Sequence, residues 1–245
     1  MTEETTKKES YESRRQEKDA ARNLSSKTRR FKKLFLWFLV IGAMAGSAFA
    51  AYKYGGNTTG TTAMIVDAVN PTDRVFGTSD SKVTLIEYGD FQCPACAQYE
   101  PLVQKVRADY VGKISFVYRH FPLRQHQHAK ITAYASEAAG KQDKFWEMHD
   151  KIYENQRAWS NLGDDKMRDT LIGYATSLGL DLAVFEKDMD SSEIKNKVAS
   201  DNDGGLKAGV NATPTFILSG KKIQPRNYDE FKNLIEQELS AAANS

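Results

Sequence analysis

Both cysteines of this 245-residue chain fall in one tetrapeptide, Cys93-Pro94-Ala95-Cys96. It stands between a β-rich run over 83–88 and a stretch over 94–110 that carries Tyr99, Leu102, Val103 and Val106 on one helical face. A strand-to-helix turn sets Cys93 at a helix N-terminus, where free backbone N–H groups and the macrodipole favour a thiolate. Pro94 suits the first helical position, because its missing N–H would have had no intrahelical partner there. Cys96 follows within the first turn, near enough to close a small ring with Cys93. A structural disulfide around so short a loop would stabilise little, since it removes little unfolded-state entropy. A zinc site would need two further ligands. The histidines on offer are His120, His126, His128 and His149, and His126-x-His128 matches no usual finger spacing. Redox chemistry at Cys93 and Cys96 is the expectation, with no metal and no cofactor.

The flanking pattern supplies a frame. A second β-rich run over 114–121 is separated from the first by a single helix, which predicts a parallel, right-handed β-α-β unit. Residues 74–76 read as a short edge strand. Helical spacing of Ala, Leu, Ile, Phe and Trp then dominates about 126–210, with helices expected at 127–140, 143–155, 164–178, 181–189 and 191–208. Phe145 and Trp146 are expected in its core. Thr215–Leu218 and Lys221–Ile223, joined by Ser219-Gly220, read as a hairpin. Asn227 and Glu230 stand at capping-box spacing before a helix that would bury Phe231, Leu234, Ile235 and Leu239.

Ahead of this frame, residues 34–52 form a run of 19 without a charge. At 1.5 Å per residue it covers about 28 Å, close to a hydrocarbon core of about 30 Å. Residues 14–33 hold nine Lys/Arg and residues 53–72 only Lys53, so the N-terminus is expected in the cytoplasm and the rest outside. A retained single-pass signal anchor is the reading. A signal peptide cleaved after Ala48-Phe49-Ala50 and a buried core helix are its alternatives. Residues 1–33 read as a disordered cytoplasmic tail and 53–72, rich in Gly and Thr, as a flexible linker. The net charge of +2 argues against a nucleic-acid partner. In an exported chain two inert thiols are a poor alternative, since exposed thiols oxidise there.

The stretch Thr84-Leu85-Ile86-Glu87-Tyr88-Gly89-Asp90-Phe91-Gln92-Cys93-Pro94-Ala95-Cys96 resembles the DsbA-like branch of the thioredoxin superfamily. Tyr118-Arg119-His120-Phe121-Pro122-Leu123 and Gly209-Val210-Asn211-Ala212-Thr213-Pro214-Thr215-Phe216 are similar to later blocks of that family, so the likeness runs over about 71–240. It implies an α/β thioredoxin fold over 73–245 with an inserted helical domain at about 126–210. It also implies an extracytoplasmic thiol–disulfide oxidoreductase. Pro214 would be the family's cis-proline opposite the cysteines, and an ordinary strand-start proline is the alternative. Glu87 matches a buried acid six residues before the first cysteine, with a satisfied strand-end carboxyl as its alternative. Thr213, Pro94 and Ala95 would meet the substrate, and Pro101 would bend the helix. The expected partners are reduced or misoxidised exported proteins and a membrane-embedded, quinone-linked oxidase. The family's strong oxidants carry His where Ala95 stands, so a reductase or isomerase on the same fold, or less readily a membrane-anchored metal chaperone, stays open.

Overall fold

The computed structural model describes residues 69–244. The expected tail 1–33 and membrane anchor 34–52 lie outside the described residues, as does the linker up to 68. Among the described residues no helix is long and apolar enough to cross a membrane.

A five-stranded sheet forms the middle layer. In chain order its strands are β1 (Arg74–Gly77), β2 (Thr84–Gly89), β3 (Ser115–His120), β4 (Thr215–Leu218) and β5 (Lys221–Ile223), and in space they run β1-β3-β2-β4-β5. β2 and β3 are parallel, joined by helix α1 (Pro94–Asp109), while the other three pairings are antiparallel. Every residue of β2 and β3 is buried, because helices cover both faces. Successive side chains on β2 point to opposite faces. Leu85 therefore joins Val103, Val106, Phe116, Phe216 and Phe231 in one apolar cluster, and Ile86 joins Val117, Phe121, Val210 and Ile217 in another.

Between β3 and β4 the chain makes six helices: α2 (Ala129–Gly140), α3 (Phe145–Glu154), α4 (Gln156–Trp159), α5 (Asp164–Ser177), α6 (Leu182–Met189) and α7 (Ser192–Lys207). Their apolar faces share a third cluster around Met148, Ile152, Trp159, Leu171 and Phe185, and that cluster also contains Phe91, Cys93, Cys96 and Tyr118. The cysteine pair thus sits where the helical block meets the sheet. Two glycines permit that approach. A Cβ on Gly89 would lie 2.5 Å from the Tyr118 ring, and one on Gly205 of α7 would lie 2.7 Å from Phe121.

Helix α8 (Tyr228–Ala243) closes the chain against α1 and the sheet, burying Phe231 and Ile235, with Leu234 and Leu239 packed beside them. Asn227 Oδ1 accepts from Glu230 N at 2.9 Å. The reciprocal arm differs from the expected capping box, since Glu230 Oε2 accepts from Arg226 N, one residue before the cap. The helix expected at 143–155 stops at Glu154. Asn155 has φ −102° and ψ 10°, and its side chain donates to Lys151 O at 2.8 Å, a local bond that competes with the helix and lets α4 set off anew.

Candidate active site

β2 delivers the chain to a turn at Asp90, and α1 begins at Pro94 with Cys93 as its N-cap. Cys93 N donates to Asp90 O at 3.0 Å, which shapes the turn. Asp90 is itself buried: Oδ1 accepts from Gln92 N at 2.8 Å, and Oδ2 accepts from Leu123 N at 2.9 Å and lies 2.7 Å from His126 Nδ1. Across the turn, the Thr213–Pro214 bond is cis, and Cys93 Sγ donates to Thr213 O at 3.3 Å. Two blocks 120 residues apart in sequence are so brought together. Both thiols are free.

The two sulfurs differ sharply. The Cys96 thiol donates to Cys93 Sγ, which outweighs the burial that opposes ionisation. The Thr213 hydroxyl and the backbone N–H groups of Cys96 and Ala95 add to it, holding the Cys93 thiol down to about 5. Thr213 Oγ1 is buried and has no other hydrogen-bond partner among the described residues, so it is free to donate to a thiolate. Burial pushes the Cys96 thiol well up, and its hydrogen bond to Cys93 and the charge of Glu87 push it further. Cys93 keeps 6% of its surface exposed and Cys96 1%, while Pro94 is exposed and Ala95 half-buried. Cys93, beside the exposed Pro94, is therefore the more accessible sulfur, whereas Cys96 is sealed.

Glu87 lies in the middle strand, paired with Tyr118 on β3 and Phe216 on β4. Burial raises its carboxyl to about 8, against the pull of the Arg107 guanidinium, and negative charge on Cys93 raises it further. Beside it lies a group that the sequence reading passed over. Arg107 Nη2 donates to Asp150 Oδ1 at 2.6 Å and to Glu100 Oε1 at 3.0 Å, and His149 Nδ1 lies 2.8 Å from Asp150 Oδ1. Burial pushes Glu100 up to about 9, with Glu87 adding to the effect, and burial pushes His149 down to about 4. Asp150 is held below the usual carboxylate range: burial opposes this, and the hydrogen bond and charge of His149, with Arg107, overcome it. Among the described residues, Glu100, His149 and Asp150 are the set that could hold a metal ion, with ligand atoms within 4.8 Å of one another. Arg107 already donates to both carboxyls, so a cation occupies that space. His126 and His128 do not join the cysteines: His126 faces Asp90, and His128 Nε2 lies 2.8 Å from Leu162 O. Phe145 is core, and Trp146 is half-buried, donating from Nε1 to Val75 O at 3.3 Å.

A protein-family model described as thioredoxin matches residues 69–237. The crystal structure of oxidised BdbD from Bacillus subtilis is similar, at 28% identity and a TM-score of 0.61, over 69% of this chain and 93% of that one. The alpha-DsbA1 structure from Wolbachia pipientis shares the fold, with a TM-score of 0.64 at 22% identity, over 74% of this chain and 98% of that one. Among curated proteins, a Na(+)/H(+) antiporter NhaA 1 of Salinispora arenicola is 39% identical over 163 residues, 64% of this chain and 24% of that one. An NhaA antiporter of Herminiimonas arsenicoxydans is 35% identical over 176 residues, 27% of its length. The chain thus spans about a quarter of the length of the curated relatives it matches.

Proposed function

The chain belongs to the thioredoxin family, and from that premise we propose that it oxidises cysteine pairs of exported proteins through a Cys93/Cys96 dithiol–disulfide cycle outside the cytoplasm. It is a protein thiol–disulfide oxidoreductase. The observation that carries the oxidising direction is the asymmetry of the two sulfurs, one held down to about 5 and reachable, the other pushed up and sealed. A thiol with a low pKa is a good leaving group and makes a stable product when reduced, so its disulfide is given up readily.

In the oxidised enzyme a client thiolate attacks Cys93 Sγ, the Cys93–Cys96 bond breaks, and Cys96 leaves as a thiolate. Because burial raises the Cys96 thiol so far, it takes a proton, and Glu87, raised to about 8, holds one at neutral pH. A second client thiolate then attacks the client sulfur of the mixed disulfide and releases Cys93 as a thiolate. Two electrons have passed from client to enzyme. The Thr213 backbone, next to Cys93, would pair with an extended client segment. A membrane-embedded, quinone-linked oxidase would restore the disulfide, and anchoring through 34–52 would raise the local concentration of the two partners. A 163-residue match to an antiporter cannot avoid the thioredoxin-family region, so the shared part includes that region, and ion antiport is not proposed.

One observation favours the reductase or isomerase reading: Ala95 puts no imidazolium beside Cys93. Incubating full-length Cys96→Ser chain, its Cys93 first converted to the thionitrobenzoate mixed disulfide so that a client thiolate can displace thionitrobenzoate, with a reduced exported protein separates the possibilities. The proposal expects a mixed disulfide through Cys93, and net gain of client disulfides with the oxidised wild-type chain. A wild-type chain that only reduces or reshuffles client disulfides would overturn it.

A further inference from the structure

The turn before α1 is tied to the helical block residue by residue. Asp90 holds Leu123 N and His126, as above. Gln92 Oε1 accepts from His128 N at 2.6 Å, and Gln92 Nε2 donates to Ser160 O at 2.9 Å. None of these bonds reaches Cys93. Gln156, the first residue of α4 and 7% exposed, does: its Nε2 donates to Phe91 O at 2.7 Å and to Cys93 O at 2.9 Å. The same Cys93 carbonyl accepts Ala97 N at 3.2 Å, the opening hydrogen bond of α1.

We infer that Gln156 is a positioning residue for thiol exchange, a buried amide through which the helical block keeps the Cys93 sulfur ionised and aimed. The inference rests on Cys93 being the reactive thiol. A carbonyl oxygen carries partial negative charge on the same residue as the thiolate, and a donor on that oxygen lessens the repulsion. Holding Phe91 and Cys93 by one amide also fixes the turn, so that the Ala95 and Cys96 N–H groups stay on the sulfur. Among the described residues the contact from the sheet side is to the sulfur instead, where Cys93 Sγ donates to Thr213 O.

The test measures the ionisation midpoint of Cys93 by thiolate absorbance, and its alkylation rate by iodoacetamide, in the reduced full-length chain. Gln156→Met keeps length and loses the donor, and Gln156→Glu keeps size and sets an acceptor where the donor stood. The other titratable groups acting on Cys93, Cys96 on α1 and Glu87 on β2, are untouched, as are Asp90 and His126 in the flanking loops. We expect the midpoint to rise in both variants, with alkylation at pH 5 slowed about fivefold by the first unit of rise and about tenfold by each further unit, and Gln156→Glu shifted further. Folded variants with the wild-type midpoint would overturn the inference. Loss of the fold in both would also overturn it, by assigning Gln156 to the core rather than the sulfur. A wild-type Cys93 midpoint near 9 would instead defeat the reading of Cys93 as the reactive thiol, whatever Gln156 does.

Discussion

At neutral pH the dithiol carries one ionised and one protonated sulfur, although the two residues sit three positions apart. The cause is local: Cys93 meets hydrogen-bond donors at the start of α1, whereas Cys96 is buried among apolar side chains, gives its proton to a hydrogen bond with Cys93 and faces the charge of Glu87. Glu87→Gln tests the carboxyl's part. In the folded chain Glu87 is raised to about 8, above its ordinary 4.5, so its burial is harmless below pH 4.5. The cost grows as pH climbs from 4.5 and levels off above 8, where the unfolded chain is ionised and folding must either neutralise or bury the charge. Glu87→Gln should therefore raise stability at pH 7 by about 3 kcal/mol in denaturant titrations, with little change at pH 4. It should also slow the exchange step in which Cys96 gains its proton. Equal effects at both pH values would contradict this. Among the site residues, Cys93 and Cys96 stood out by their motif and its place between strand and helix, whereas Glu87, Thr213 and Pro214 were named only through the resemblance to the DsbA-like family. Gln156 was not, since a single amide on a helix carries no pattern. Glu100 and Arg107 left a fainter trace, as two charges on the buried stripe of Cys96, Glu100, Val103 and Arg107, where apolar residues belong.

The elements are pinned to one another by a few buried polar bonds. Arg74 on β1 donates to Glu137 Oε2 on α2, from Nε at 2.8 Å and from Nη2 at 2.5 Å, and His120 Nε2 on β3 lies 3.0 Å from Glu137 Oε1. Burial would raise the Glu137 carboxyl, but the hydrogen bond and charge of His120, and those of Arg74, hold it at about 2. This cluster stabilises the fold above pH 4.5, and its contribution fades as pH falls towards 2. Arg74→Met should cost about 3 kcal/mol at pH 7, because a buried carboxylate loses a partner, and less at pH 3. At the other end, Asn227→Ala should cost about 1 kcal/mol by removing the α8 cap. Urea unfolding curves measure both. Element types were readable locally: short β-rich runs gave the strands, spacing of three and four gave the helices. The break at Asn155 was not, because nothing short of the folded chain shows whether an Asn side chain bonds to water or to Lys151 O.

Across the molecule, the sheet supplies Glu87 and the turn, while the helical block supplies the apolar wall over Cys96 and the bonds from Gln156, Ser160 and His128. The reactive pair belongs to neither part alone. One consequence appears in whole-protein stability. Reduced Cys93 is depressed from 9 to about 5, so it stabilises the reduced fold most above pH 9, and the effect declines as pH falls and is gone below 5. The oxidised chain, with no thiolate, lacks it. Parallel denaturant titrations should find the reduced form more stable at pH 8, with the gap closing by pH 4.5. The most direct measurement is the reduction potential of the Cys93/Cys96 couple in the full-length chain at pH 7. The thiolate account places it nearer the about −120 mV of strong disulfide donors, and a value at or below the about −270 mV of thioredoxin would contradict it.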